Sequence, residues 1–149
     1  MTFKEKVHTH CTHLVEKRIS LAQKLIVEAQ TAANQDTKSS MGDKYETSRE
    51  MMALEMRKAS EQLQEASKLK KVLGELKPKK VYSSIALGSL ITTSMGVFYL
   101  AVSLGKMEVE NKEVFVLSAV APLGKLLLGK SIGDHFDFNS QHISIIDVA

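Results

Sequence analysis

The chain has 149 residues, of which 44% are hydrophobic, and its formal net charge is +3. This length suits one domain with a core or two small modules joined by a linker, and so small a charge excess does not by itself predict nucleic-acid binding. The single cysteine, Cys11, excludes an intrachain disulfide. Because the N-terminal residues are too charged and too rich in histidine for a secretory signal, we expect a reducing, cytoplasmic setting.

The charges are unevenly distributed along the chain. Residues 1–80 contain 16 Lys and Arg against 11 Asp and Glu, a net +5, whereas residues 81–149 contain 4 against 6, a net −2. A basic, polar first part followed by an apolar, slightly acidic second part predicts two modules, which we place at residues 1–77 and 78–149. The basic first module favours a polyanionic or acidic partner.

Two long helical patterns fill the first module. Residues 3–34 contain neither Gly nor Pro, and apolar residues recur there every three or four positions, or after seven where Arg18 interrupts. The second pattern follows a 4-3 rhythm that Lys70 interrupts. The expected seam positions are Val7, Cys11, Leu14, Leu21, Leu25, Ala29 and Ala32 on the first helix and Met52, Met56, Ala59, Leu63, Ala66, Leu73 and Leu76 on the second. Turn-forming residues at 34–42 separate the patterns, so we predict an antiparallel coiled coil roughly 45 Å long at 1.5 Å per residue.

The second module has the pattern of a small sheet. Pro78 ends the second helix, since proline lacks the backbone N–H and disfavours helical geometry in the residue before it. Stretches rich in β-branched and aromatic residues then predict strands at SLITTS, GVFYLAVSLG, EVFVLSAV, DHFDF and HISIIDV. The stretch APLGKLLLGK predicts a short helix with Pro122 at its first position and Gly129 as its stop. The fold class expected is therefore α+β, with a helical hairpin followed by an antiparallel sheet and one short helix.

Residues 81–105 leave an alternative open, because they carry no charge and are long enough for a transmembrane helix. Lys79 and Lys80 beside one end fit that alternative, whereas seven Ser and Thr residues and the spaced glycines dilute the apolar character. With such an anchor the protein would be a membrane-attached coiled-coil adaptor. With strands there, we expect no membrane partner.

Two acidic residues, Asp43 and Glu46, follow Gly42 at the start of the second helical pattern. With Asp43 as N-cap and Glu46 as the third helical residue, they are close to a capping box, which needs no chemistry. At the end of a long hairpin, two carboxylates one turn apart can also jointly hold a hard divalent cation such as Mg²⁺. A cation held there could lower the pKa of a bound water and orient it for attack on a phosphodiester. The two interpretations are compatible, since a cap also fixes the carboxylates in space.

Two passages resemble the Gre-type transcript-cleavage factors of bacterial RNA polymerase, the GreA and GreB family. Residues 42–46, GDKYE, are similar to the tip motif of that family, which is Gly-Asp, two residues and Glu. Residues 121–134, APLGKLLLGKSIGD, with Ile143 and Ile145 after them, resemble its Ser-Pro, apolar helix, Leu-x-Gly-Lys and Gly-Asp pattern. Thr47 stands where the family usually has Asn, and Ala121 where it has Ser. The resemblance extends over nearly the whole chain. It implies a helical hairpin with an acidic tip near residues 40–47, followed by an FKBP-like domain.

The resemblance implies a transcription elongation factor that is not itself an enzyme. The hairpin is expected to enter the secondary channel of RNA polymerase, where Asp43 and Glu46 would help hold a Mg²⁺ ion shared with the polymerase active site. The polymerase itself would then cleave backtracked RNA near its 3′ end. Some members of the family occupy the same channel without stimulating cleavage, or inhibit the enzyme, so a regulator without cleavage activity is the alternative.

The expected polymerase or RNA contacts lie in both modules. Lys38, Lys44 and Arg49 flank the tip and could contact RNA phosphates or the acidic channel wall, although a solvated helix surface explains them equally simply. Pro122 is an expected polymerase contact by resemblance. We expect a monomer with no cofactor of its own.

A cluster of His8, His10, Cys11 and His13 has the composition of a metal site. On a helix, only His10 and His13 share a face, and two ligands do not make a closed zinc site. We therefore expect an exposed polar face for the histidines and a small core residue at Cys11.

Overall fold

The structure, a computed structural model, describes residues 1–36 and 42–149, without the side chains of 33, 35, 36 and 42–45. Two long helices are followed by strands and one short helix, which confirms the predicted α+β class. The elements are α1 (Phe3–Asp36), α2 (Gly42–Glu75), β1 (Leu90–Thr93), β2 (Gly96–Ala101), β3 (Gly105–Val109), β4 (Lys112–Ser118), α3 (Pro122–Leu127), β5 (His135–Phe138) and β6 (Gln141–Val148).

By packing, the chain divides into two compact units. The first consists of Met1–Thr12 and Lys71–Ala149, and the second of His13–Lys70. The start of α1 and the end of α2 thus pack with the sheet, because apolar residues at both places are buried there, among them Val7, Cys11 and Leu73. The predicted division of the chain into modules at residues 1–77 and 78–149 stays a prediction.

The second unit is the antiparallel helical hairpin. Arg18 and Leu21 of α1 line a groove with residues 58–69 of α2, whereas Leu25 and Ala32 line one with residues 52–62. Residue numbers rise on one helix as they fall on the other, so the helices run in opposite directions, as predicted.

The predicted seam is confirmed on α2 and partly wrong on α1. All seven predicted positions of α2 are buried or half-buried, and at the interruption Leu69 is half-buried while Lys70 is exposed. On α1, Leu21 and Leu25 are exposed, and Val15 and Ala22 are buried. Four alanines spaced by seven residues fill the seam instead, Ala22 and Ala29 on α1 and Ala59 and Ala66 on α2. Ile19 and Ile26 of α1, between these positions in the 4-3 spacing, are half-buried, so the face of α1 that packs lies one position away from the predicted leucines.

The start of α2 also differs from the capping prediction. The helix already includes Gly42 and Asp43, so position 43 lies in the first turn and the predicted N-cap at Asp43 is wrong. Positions 43 and 46 remain three residues apart along one helix, which is the spacing of neighbours on a helix face.

Six strands form one sheet in the order β3-β4-β2-β1-β6-β5. The predicted strands are present, but β3 was not predicted, and the stretch GVFYLAVSLG forms β2 only as far as Ala101. All neighbouring pairs are antiparallel except β2 and β4, which run parallel. The parallel pair departs from the predicted antiparallel sheet, because β3 intervenes in sequence and pairs on the far side of β4.

Residues 81–105 are not a transmembrane helix, so that alternative is wrong. They contain β1, β2 and the turns around them, and Ile91, Tyr99 and Leu100 are fully buried within the sheet. Among the described residues, no helix is long and apolar enough to cross a membrane.

The two faces of β2 serve different packing partners. Phe98 and Leu100 point into a core that also contains Leu127 of α3, whereas Tyr99, on the opposite face, hydrogen-bonds a side chain of α1. This alternation follows from the period of two residues in a strand. The sheet is therefore covered on one face by α3 and on the other by the base of the helices.

The hairpin turn between β5 and β6 uses a backbone conformation that side chains disfavour. Asn139 and Ser140, between β5 and β6, have φ of 49° and 63°, as in a type I′ turn, where Asn-Gly is the preferred pair.

Replacing Ser140 with Gly is therefore expected to stabilise the protein. The left-handed conformation costs a non-glycine residue about 1 to 2 kcal/mol, and the extra unfolded-state entropy of glycine offsets part of this, leaving a gain of about 0.5 kcal/mol. Urea denaturation measures the difference. As a control, Ser144→Gly in the middle of β6 is expected to destabilise. Equal destabilisation by both changes would contradict the turn geometry.

Candidate functional site

The predicted tip residues fall at or near the connection between α1 and α2. Lys38 lies outside the described residues, and the side chains of Asp43 and Lys44 lie outside them as well, although their backbone is in the first turn of α2. Glu46 and Arg49 are described, and both are exposed. They are three residues apart in the helix, so they share a face and bring one negative and one positive charge to it.

The start of a helix is electrostatically suited to acidic groups. The unpaired N–H groups of the first turn carry partial positive charge, which favours carboxylates at positions such as 43 and 46. Among the described residues, no three His, Cys, Asp or Glu side chains are placed to hold a metal ion by themselves. The described part of the tip therefore offers one exposed carboxylate, Glu46, which could serve as one oxygen ligand of a cation completed by another molecule.

Pro122 occupies the first position of α3, as predicted, and is exposed. Ala121 before it makes no side-chain cap, because its methyl group has no acceptor for the free N–H groups of the helix. Gly129, two residues past the end of α3, has φ of 85°, and its N–H donates to the carbonyl of Ile85. The prediction that Gly129 stops the helix is confirmed.

Sequence reasoning missed the apolar surface that flanks α3. Its members are large hydrophobic side chains that the fold leaves exposed, namely Val120, Leu126, Leu128 and Ile132. The sequence predicted a short helix here without its buried face, and of the residues of α3 only Gly124 and Leu127 are buried.

A polar network anchors the first turns of α1 within the first unit. Lys4, only 4% exposed, donates to the carbonyl of Lys80 at 2.6 Å, and its ammonium lies 4.7 Å from the ring centroid of Tyr82. His8 Nδ1 and the Tyr99 hydroxyl are 2.8 Å apart. Burial lowers the pKa of Lys4, and burial together with the Lys4 charge lowers the pKa of His8. The network is structural, since every polar group in it is paired with another part of the fold.

The histidine cluster thus divides. The expectation of an exposed polar face is confirmed for His10 and His13 and wrong for His8, which is half-buried. Tyr99 is the partner that the sequence could not reveal. Cys11 is a buried core residue, as predicted, with its Sγ 3.9 Å from the sulfur of Met107. Burial raises the pKa of its thiol to about 12, so it is not a nucleophile at neutral pH.

No family model matches the chain, and no curated protein matches it. The chain is similar to a solved structure of the transcription factor Gfh1, with a TM-score of 0.35 and 15% sequence identity over 92% of this chain and 92% of that chain. A likeness this distant does not assign the chain to a family.

Proposed function

We propose that this protein is a Gre-like transcription factor that binds RNA polymerase through its helical hairpin and stimulates cleavage of backtracked RNA. The observation that carries the proposal is the position of exposed Glu46 in the early turns of α2, a helix of 34 residues in an antiparallel hairpin. At 1.5 Å per residue, Glu46 lies about 36 Å along that helix from Lys70, the last residue of the second unit. A carboxylate carried so far along a narrow pair of helices can reach a site that a wider structure cannot enter.

The second support comes from the C-terminal motif, whose residues have specific structural positions. Pro122 begins α3, Gly124 is buried within it, and Gly129 ends it in a left-handed conformation. Gly133 also has positive φ, and the Asp134 carboxylate accepts from the N–H of Ser131 at 2.8 Å. Each of these residues thus has a definite structural position in the passage that resembles the Gre pattern, which supports the proposal.

Within this function the residues of the chain have distinct roles. Asp43 and Glu46 would supply carboxylate oxygens to a Mg²⁺ ion shared with the polymerase, the ligand type that this cation prefers. Such a cation supplies a water of lowered pKa and orients it toward the scissile phosphodiester. Arg49, on the same helix face as Glu46, would attract RNA phosphate and make binding sensitive to salt. Pro122 would belong to a separate polymerase contact beside the exposed apolar residues that flank α3.

Titration of the purified protein into backtracked polymerase complexes, with RNA length as the readout, tests the proposal. We expect shortened RNA whose rate of appearance rises with protein concentration and then saturates. Binding without shortening would replace cleavage by the alternative function, a regulator that occupies the polymerase. Absence of binding at low salt, where attraction between the basic residues and polyanions is strongest, would overturn both.

A further inference from the structure

The hairpin carries an apolar groove that the two helices do not cover themselves. It consists of two adjoining grooves that share Lys58 and Gln62, and we call the two together the hairpin groove. The other lining residues that matter below are Arg18, Leu21, Leu25 and Glu28 of α1 and Glu65 of α2. Leu21 is 58% exposed and Leu25 is 39% exposed. Both leucines lie one position before a residue that is buried or half-buried, Ala22 and Ile26 respectively. An amphipathic helix normally buries such residues against another element.

The residues of α1 along the groove would complement those of a second α1 helix that runs in the opposite direction. Arg18, Leu21, Leu25 and Glu28 follow one another at spacings of three, four and three residues. If a second copy of α1 lies antiparallel, Leu21 meets Leu25 of the second copy, and Arg18 meets Glu28. The match is reciprocal, so one alignment pairs both leucines and both charges of each chain.

The α2 side of the groove has the same symmetry. Lys58 and Glu65 are equally far from a point beside Gln62, so the antiparallel alignment also brings Lys58 of one copy to Glu65 of the other. Gln62 lines one part of the groove together with Leu21 and the other part together with Leu25. The centre of symmetry on α2 is therefore level with the centre on α1, and a single two-fold axis satisfies both helices.

We propose that two copies of this chain associate through the hairpin groove as an antiparallel four-helix bundle. The occupant of the groove is a second copy because one rotation brings opposite charges into register on both helices and also brings the two leucines of α1 together, as an isologous interface requires. This differs from the monomer expected from the sequence, and it does not depend on the proposed activity.

The interface is expected to be small and reversible. The groove extends over about 14 residues of helix, roughly 21 Å, and two helices side by side are about 20 Å wide. Such a footprint lies at the low end of specific interfaces, which indicates a dissociation constant on the order of micromolar. The charges are free to exchange partners, because Glu28 and Glu65 make only exposed pairs within their own helices, with Lys24 at 3.9 Å and Lys68 at 3.3 Å, and such pairs contribute little.

Sedimentation equilibrium of the full chain with charge-reversal variants tests the proposal. In the Arg18→Glu variant, the new glutamate of each copy would lie against Glu28 of the other copy, which places two acidic residues together at two contacts per dimer. In the Glu28→Arg variant, the new arginine would lie against Arg18 of the other copy, which places two basic residues together at both contacts. Each variant alone is therefore expected to associate about tenfold or more weakly than the wild-type chain. An equimolar mixture of the two variants restores opposite charges at both contacts, so we expect association to return in the mixture.

Lys17→Glu serves as the matched control, because Lys17 is exposed beside Arg18 and does not line the groove. It is expected to associate like the wild-type chain. Equal helical circular dichroism of all variants excludes misfolding. The proposal is overturned if the wild-type chain stays monomeric at about 100 μM, or if the mixture associates no better than the single variants. Weaker polymerase binding by Arg18→Glu with unchanged self-association would likewise overturn it, assigning the groove to polymerase.

Discussion

Replacing Gly124 with Ala is expected to destabilise the sheet-containing unit by about 3 kcal/mol or more. A Cβ atom at residue 124 would lie 2.1 Å from the carbonyl oxygen of Ser118 and 3.1 Å from its carbonyl carbon, and 3.2 Å from the Cα of Ala119. All three atoms belong to the backbone that leaves β4, so no side chain can rotate to relieve the overlap. Either α3 moves off the sheet or the end of β4 is displaced, and both disturb the core around Leu117 and Leu127. Urea denaturation followed by circular dichroism measures the loss.

Gly74→Ala is the matched control for this prediction. Gly74 is also helical, but a Cβ there meets no atom within 4 Å, so alanine is expected to stabilise α2 by about 0.5 to 1 kcal/mol. The same chemical change thus has opposite signs at the two sites. If Gly124→Ala were as stable as the wild-type chain, α3 could not be seated on the end of β4 as described.

The two helices show how far hydrophobic periodicity predicts packing. On α2 the 4-3 rhythm gave the correct face over its whole length, since the seven predicted positions are buried or half-buried whereas Met51 and Leu54, outside that rhythm, are exposed. On α1 the same rule selected Leu21 and Leu25, whereas Ile19, Ala22 and Ile26 are the residues that are buried or half-buried there. The two sets differ by one position and both recur every three or four residues, so apolar spacing alone does not decide which of them faces α2.

The sheet was predictable strand by strand but not as a topology. β3 escaped prediction because its sequence, GKMEV, places Lys106 and Glu108 on one face, and both are exposed. The parallel pairing of β2 with β4 depends on contacts between residues about 17 apart in sequence, such as Val97 with Val114. No local pattern encodes which strands are neighbours. Only the fact that both strands are buried limited the choice to the centre of the sheet.

For the candidate site, the motif located residues and the structure gave their surroundings. Glu46 and Arg49 are exposed on one helix face, as a role in binding requires, and Pro122 opens α3. By contrast, the pairing of His8 with Tyr99 was beyond sequence reasoning, because the partners are 91 residues apart. A histidine on a mixed helix face gives no sign of whether the sheet will cover it. Tertiary contacts decided its role.

Neutralising both tip acids, with Asp43→Asn and Glu46→Gln, is expected to abolish RNA shortening while leaving binding to the polymerase intact. Each amide keeps the size of its carboxylate but loses the negative charge, and it is a poor replacement in a site for a hard dication. Loss of both ligands is expected to lower the cleavage rate at saturating protein on the order of 100-fold. The assay follows RNA length in backtracked complexes, and competition with labelled wild-type protein measures binding. A loss in rate without a loss in affinity would place the carboxylates at the reacting centre rather than at the binding surface.

Glu50→Gln supplies the control for charge, because Glu50 is exposed one helical turn beyond Glu46 and is not part of the tip motif. This variant removes one negative charge from the same helix, so a general electrostatic effect would slow cleavage in it too. A ligand role confined to positions 43 and 46 would leave its cleavage rate near that of the wild-type protein. Added Mg²⁺ offers a second discrimination. If the single variant Glu46→Gln only weakens the hold on the cation, a higher Mg²⁺ concentration is expected to restore part of its rate by mass action. A double variant that cleaves as fast as the wild-type chain would remove the carboxylates from the mechanism, and the hairpin would then act by occupying the polymerase alone.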